Sequence, residues 1–204
     1  DQDGDGLFGE ISDGVDLYPD VFVGRAPVRS VADAEAFVDK VIAYEHGTAM
    51  TSQLDMLMAA EVLWSDPFTD SSIALNMIDR ESVPPSYDPI SKLYETLGNE
   101  SGAGVLLALN SGQGHFLHSG HAWYDVMGCG NGSIYRWDIM DLTNADDQPL
   151  IYSIGCWPAA FDLPEDCIAE RFLQSPNGGA VAFIGNDRYG WASPGNPGYG
   201  YSER

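Results

Sequence analysis

A chain of 204 residues is long enough for one domain with a substantial core, and a hydrophobic content of 44% argues against general disorder. Nine Lys plus Arg against 31 Asp plus Glu leave a formal net charge of −22. A surface this acidic repels nucleic acid and anionic membranes, and suits divalent cations, high salt or basic substrates.

The longest apolar stretches, Val105 to Leu109 and Ala180 to Ile184, are strand-sized. Neither approaches the roughly 18 to 20 residues of a membrane span. The cysteines are Cys129, Cys156 and Cys167, an odd number that makes no disulfide framework and leaves at least one thiol free. A free thiol is either buried and inert or placed to react. The chain opens inside an Asp-rich motif and closes at Ser202-Glu203-Arg204, so it reads as a piece truncated at both ends.

In chain order, residues 1–16 form an Asp- and Gly-rich loop, and residues 17–204 form the domain proper. Asp20 to Gly24 is expected as a short strand. Ser30 caps a helix running to about Glu45, with Phe37, Val38, Val41 and Ile42 on its apolar face. Gln53 to Trp64 is expected as a buried strand interrupted near its end by Glu61. A loop with a short helix over Ile73 to Ile78 follows. Ile90 to Leu97 is expected as a helix stopped by Gly98, and Gly104 to Leu109 as a buried strand entering a Gly- and His-rich segment, Gly112 to Gly132. Leu150 to Ile154 is a core strand ending at Gly155-Cys156. Pro164 to Leu173 reads as a helix, Ala180 to Gly185 as a strand and Ser193 to Tyr201 as an irregular tail. Apolar runs alternating with helices predict an α/β fold with a mostly parallel sheet covered on both faces, whose sites lie at the carboxyl ends of strands.

Two constellations occupy such ends. One is His118-Ser119-Gly120-His121-Ala122-Trp123 and the other is Ser153-Ile154-Gly155-Cys156-Trp157. A cysteine nucleophile needs a base for its proton, and the same histidine can then protonate the leaving amine. Gly120 and Gly155 let backbone N–H groups approach a substrate carbonyl and stabilise its oxyanion. A lone Cys or His is ordinarily a structural residue, so these residues by themselves do not decide the chemistry.

Order and context add more. His121, then Asp141-Leu142-Thr143-Asn144, then Cys156, Ala160-Phe161-Asp162 and Cys167-Ile168-Ala169-Glu170 occur in sequence. The strand Gly179 to Ile184 and the Arg188 to Trp191 patch follow, and Pro19 to Arg25 lies upstream. In these motifs, from about Asp16 to Pro194, the chain resembles the gingipain family of cysteine peptidases, of the caspase-like clan. The resemblance implies a three-layer α/β/α sandwich and endopeptidase activity on peptide or protein substrates, outside the cell or at its surface. It implies Cys156 as nucleophile and His121 as base and acid, with oxyanion donors at the N–H groups of Cys156 and Ala122. It also implies Glu61 as the carboxylate orienting the histidine, and Gly120, Gly155, Asp70 and Trp157 around the substrate. Asp70, and after it Asp162, would receive a basic side chain at the cleaved bond. The chain departs from the family in carrying Ala122 where His-Gly is usual, and in the extra histidines His115 and His118.

Asp1, Asp3 and Asp5 followed by Gly6 resemble the start of an EF-hand-type loop, with Glu10 as a further acid, and predict structural calcium. Position twelve is Ser12, where the standard loop has Glu. Two alternatives to the peptidase stand: a zinc protein using His115, His118, His121 and Cys129, and an inactive interaction module on the same fold.

Overall fold

A computed structural model describes residues 3–6, 12, 14, 20–46 and 52–198. Helix α1 (Val31–His46) precedes strand β1 (Met56–Ala60), the hairpin β2 (Val62–Ser65) and β3 (Phe68–Asp70), and helix α2 (Ser72–Ser82). Strand β4 (Ser91–Tyr94), helix α3 (Gly102–Asn110) and strand β5 (His115–Ser119) follow. After them come β6 (Ala122–Trp123), β7 (Val126–Gly128), β8 (Ser133–Tyr135), β9 (Leu150–Ser153), helix α4 (Ile168–Gln174) and β10 (Ala182–Gly185).

Five strands pair in parallel in the order β10-β9-β5-β1-β4. β1 is buried along its whole length, as its apolar sequence Met-Leu-Met-Ala-Ala requires of a strand covered on both faces. The alternation of its side chains separates two cores. Leu57 and Ala59 join Phe116, Ile151, Val105, Leu109, Ile168 and Phe172, so α3 and α4 cover that face. Met56, Met58 and Ala60 join Leu75 and Tyr94 under α2 on the other. The result is the α/β/α sandwich expected.

Several elements differ from expectation. Gly104 to Leu109 lies in helix α3, not in a strand. Ser101 accepts a hydrogen bond from the Gly104 N–H at 3.1 Å and caps the helix. Val105 and Leu109, four apart, enter the core while Leu107 is exposed. A six-residue apolar run has no periodicity to separate the two states. The strand that carries the histidine loop is β5, inside the segment read as Gly- and His-rich. Ile90 to Leu97 is strand β4 followed by a single 3₁₀ turn, Glu95–Leu97, rather than a helix. Gly98 ends that turn at φ +69°, the left-handed conformation glycine adopts freely. Residues 20–24 are unpaired, with Val21, Phe22 and Val23 exposed. In α1 the buried residue is Lys40, whose Nζ donates to the Phe172 and Gly178 carbonyls, while Val38 and Ile42 stay half exposed. The expected strand 53–64 breaks at Glu61 into β1 and β2. The helix expected from Pro164 starts only at Ile168.

Candidate active site

Parallel pairing sets the site's frame. β5 and β9 are neighbours with His118 opposite Ser153, so the loops leaving their carboxyl ends, which hold His121 and Cys156, emerge side by side. Both residues line one cavity of about 350 Å³, together with Gly120 and Gly155.

His121 is held at two points. Its Nε2 lies 2.8 Å from the Leu63 carbonyl oxygen. A carbonyl only accepts, so Nε2 carries the proton and Nδ1 is the basic nitrogen of the neutral ring. Its backbone N–H donates to Glu61 Oε2 at 2.6 Å. Glu61 is buried at the end of β1, and its other oxygen accepts the Gly130 N–H at 3.0 Å. Burial raises the Glu61 pKa, while these two N–H groups pull it down. Glu61 thus positions the main chain of His121. The imidazole tautomer, which the family resemblance assigned to this carboxylate, is fixed by the Leu63 carbonyl.

Cys156 is partly exposed, and its thiol rests 3.7 Å from the Gly190 carbonyl. Its own N–H has no acceptor among the described residues, as an oxyanion donor requires. The next residue, Trp157, has φ +65°, an uncommon conformation for a non-glycine residue that marks a sharp turn directly after Cys156. Gly155 cannot be anything larger: an added Cβ would fall 2.4 Å from the Ala122 Cβ. At Gly120 a Cβ would meet Glu61 Oε2 at 2.7 Å and His118 Nε2 at 2.8 Å. Cys129 and Cys167 are buried, and burial pushes both thiols up, Cys167 to about 12.

His118 serves as a support beneath the site. It is fully buried, its Nε2 lies 2.8 Å from the Gly128 carbonyl and its Nδ1 2.9 Å from Ser153 Oγ. Burial lowers its pKa to about 4, so the ring is neutral. The Nε2–H therefore donates to Gly128, and the Ser153 hydroxyl donates to Nδ1. Both nitrogens are occupied, so His118 is no metal ligand. His115, three residues earlier on the strand, faces the opposite side of the sheet and packs edge-on against Tyr87 at 5.3 Å. No group of three or more His, Cys, Asp or Glu among the described residues is placed to hold a metal ion.

The remaining expected site residues lie elsewhere. Asp70 Oδ1 accepts the Ser72 N–H at 2.9 Å at the start of α2 and does not line the cavity. Asp162 takes both arms of Arg188, at 3.0 and 2.7 Å. Trp157 does not line the cavity; it packs tilted against Trp123, with centroids 4.9 Å apart, and under the Arg188 guanidinium. Ala122 begins β6, where its Cβ abuts Gly155. Cys167 and Glu170 form the capping box of α4. Asp3 and Asp5 are exposed on a turn with positive φ at Gly4 and Gly6, and Asp3 Oδ1 accepts the Asp5 N–H at 3.3 Å. Asp1 and Glu10 lie outside the described residues.

Three contributors carry no sequence signal. The Leu63 carbonyl acts through the main chain. Asn186 donates to the Ile154 and Gly155 carbonyls and ties down the turn that leads into Cys156. Ser153 stands in the Cys156 constellation, but nothing in the pattern marks it as the partner of His118.

Comparison with known proteins agrees with this geometry. Residues 2–203 match the model of peptidase family C25. Gingipain R2 of Porphyromonas gingivalis is 24% identical over 200 residues, covering 93% of this chain and 26% of that protein. An uncharacterized protein of Archaeoglobus fulgidus is 25% identical over 198 residues, covering 83% of this chain and 47% of its own length. The crystal structure of the Arg-specific cysteine proteinase gingipain R superposes with a TM-score of 0.74 at 22% identity, over 85% of this chain and 41% of that one. The chain therefore spans about a quarter of the length of gingipain R2. With a family match across nearly its whole length, the chain belongs to peptidase family C25.

Proposed function

We propose that this chain is the catalytic unit of a cysteine endopeptidase, with Cys156 as nucleophile and His121 as its proton carrier. The observation that supports this most is their convergence on one cavity from adjacent strand ends, with the basic Nδ1 of His121 left free by the Leu63 bond. The thiol leaves the Gly190 carbonyl and gives its proton to Nδ1. The sulfur attacks the peptide carbonyl carbon, and the oxyanion is met by the Cys156 N–H and that of Ala122. The imidazolium then protonates the amine as the C–N bond breaks. Water, deprotonated by the same histidine, splits the thioester and releases the acid.

Cleavage after basic residues is the finer preference that the Arg-specific solved relative suggests. The net charge of −22 favours it at long range. The lining of the cavity supports a different preference, developed below. The Asp-rich loop at Asp1, Asp3, Asp5 and Glu10 is proposed to bind calcium as a structural ion; its test is calcium binding lost in an Asp3→Ala/Asp5→Ala variant. The site of action is proposed to be outside the cell or at its surface. No helix among the described residues is long and apolar enough to cross a membrane.

Turnover of an unstructured protein such as casein tests the assignment. The expected result is hydrolysis by the chain and none by Cys156→Ala. Equal hydrolysis by both would refute the nucleophile.

A further inference from the structure

The cavity beside Cys156 is lined by Leu63 and Trp64 from β2, Ile154 at the end of β9, and Tyr189, Trp191 and Ala192 beyond β10. Three of the six are aromatic and the others aliphatic. None of its lining residues is acidic. Neither of the two candidate acids lines it: Asp70 accepts the Ser72 N–H at the start of α2, and Asp162 pairs with Arg188. One hydrogen bond ties the two walls' segments together: the Gly195 N–H donates to the Thr69 side-chain Oγ1 at 2.7 Å, which joins the segment after β10 to the β2–β3 hairpin.

In a peptide poised on Cys156, the carbonyl carbon under attack sits at the sulfur, and the side chain of that residue branches from the adjacent Cα, within reach of the cavity that Cys156 itself lines. We propose that this cavity selects an apolar or aromatic side chain, such as Leu, Phe or Tyr, on the acyl side of the cleaved bond, and that Arg and Lys are poor there. The proposal rests on the peptidase reading of Cys156 and His121.

Physical terms decide between the two classes. A volume of about 350 Å³ holds one large side chain, and Trp64, Trp191 and Ile154 take its apolar surface from water. A guanidinium entering the same space gives up hydration without a counter-ion. The aromatic faces return part of that through cation–π attraction, less than an ion pair in a closed pocket. The protein's overall negative charge enriches basic peptides near the whole surface, but added salt screens that effect and leaves contact selectivity.

The test uses quenched fluorogenic peptides identical except at the residue before the cleaved bond, measured in about 0.5 M salt, where the Debye length is about 4 Å. The expected kcat/KM for Leu, Phe or Tyr exceeds that for Arg or Lys by at least about 10-fold. Arg or Lys equal to or better than Leu overturns the proposal. An Ala192→Asp variant places a carboxylate in the cavity and is expected to raise the Arg-to-Leu ratio at least about 10-fold; an unmoved ratio also counts against it. Equilibrium binding of the same peptides to Cys156→Ala, followed by tryptophan fluorescence, needs no turnover. Preference for Leu in binding with no cleavage by the unsubstituted chain keeps the cavity assignment and sinks the peptidase reading. Arg preference or no binding sinks the cavity assignment itself.

Discussion

Replacing Glu100 by Gln is expected to stabilise the protein at neutral pH and to remove part of its pH dependence. Glu100 is 3% exposed, and neither carboxyl oxygen has a hydrogen-bond partner. It sits against Gly130, where an added Cβ would lie 2.6 Å from its Oε2, and it shares this turn with Glu61 and Glu95. Burial, then repulsion from Glu61 and Glu95, pushes its pKa up to about 8, opposed only by the nearby Glu95 main chain, which lies outside hydrogen-bond geometry. A carboxyl raised on folding takes up a proton as the chain folds. The stability it allows is complete below the ordinary carboxylate range near pH 4.5 and is lost as pH rises toward 8. The slope is at most about 1.4 kcal/mol per pH unit, so up to about 3 kcal/mol disappears between pH 5 and 7. Gln keeps the shape without the charge. Denaturant unfolding between pH 4.5 and 8.5 should show Glu100→Gln and the parent equal at the acid end, and the variant ahead by up to about 4 kcal/mol at pH 8. Parallel curves would refute the buried, unpartnered carboxyl, because only the difference between the two proteins isolates Glu100 from the other acids.

Two further substitutions probe the frame of the site. Glu61→Ala strips the acceptor from the His121 and Gly130 N–H groups, and should cost about 3 kcal/mol of stability with at least a 100-fold fall in kcat; calorimetry and kinetics check the two parts, and unchanged kcat would contradict the positioning role. Gly155→Ala should abolish turnover by driving its Cβ into that of Ala122, and the second change Ala122→Gly should restore part of it. Failure of that pair to recover any activity over the single variant would show that the clash is not what Gly155 avoids.

The layered fold was legible because β1, β9 and β10 are short apolar runs at strand spacing, and the two carboxyl-end loops carry Gly beside His121 and Cys156. Helix α3 was misread for a definable reason. Val105 to Leu109 is apolar throughout, so neither the period of 3.6 nor that of 2 stands out, and the Ser101 cap was the better signal. Strand β5 was obscured by its own chemistry: His115, His118 and Ser119 leave only Phe116 and Leu117 apolar, and burying His118 depends on Ser153 from the neighbouring strand. Cys156 and His121 were recognisable by motif order, but the tautomer of His121 depends on a carbonyl 58 residues away, which no side-chain pattern announces. Asp70 and Asp162 were suggested as pocket acids by the family resemblance, a weak signal in a chain with 31 acidic residues, and their partners in the fold are the Ser72 N–H and Arg188.

The most direct test of the Cys156–His121 dyad is the rate and position of alkylation by a matched pair of peptidyl chloromethyl ketones bearing Leu or Arg, mapped by mass spectrometry. The account predicts a single adduct on Cys156, formed at least about 100-fold more slowly in His121→Ala, the scale of a lost general base. Labelling of Cys129 or Cys167 ahead of Cys156, or an unchanged rate in His121→Ala, would contradict it.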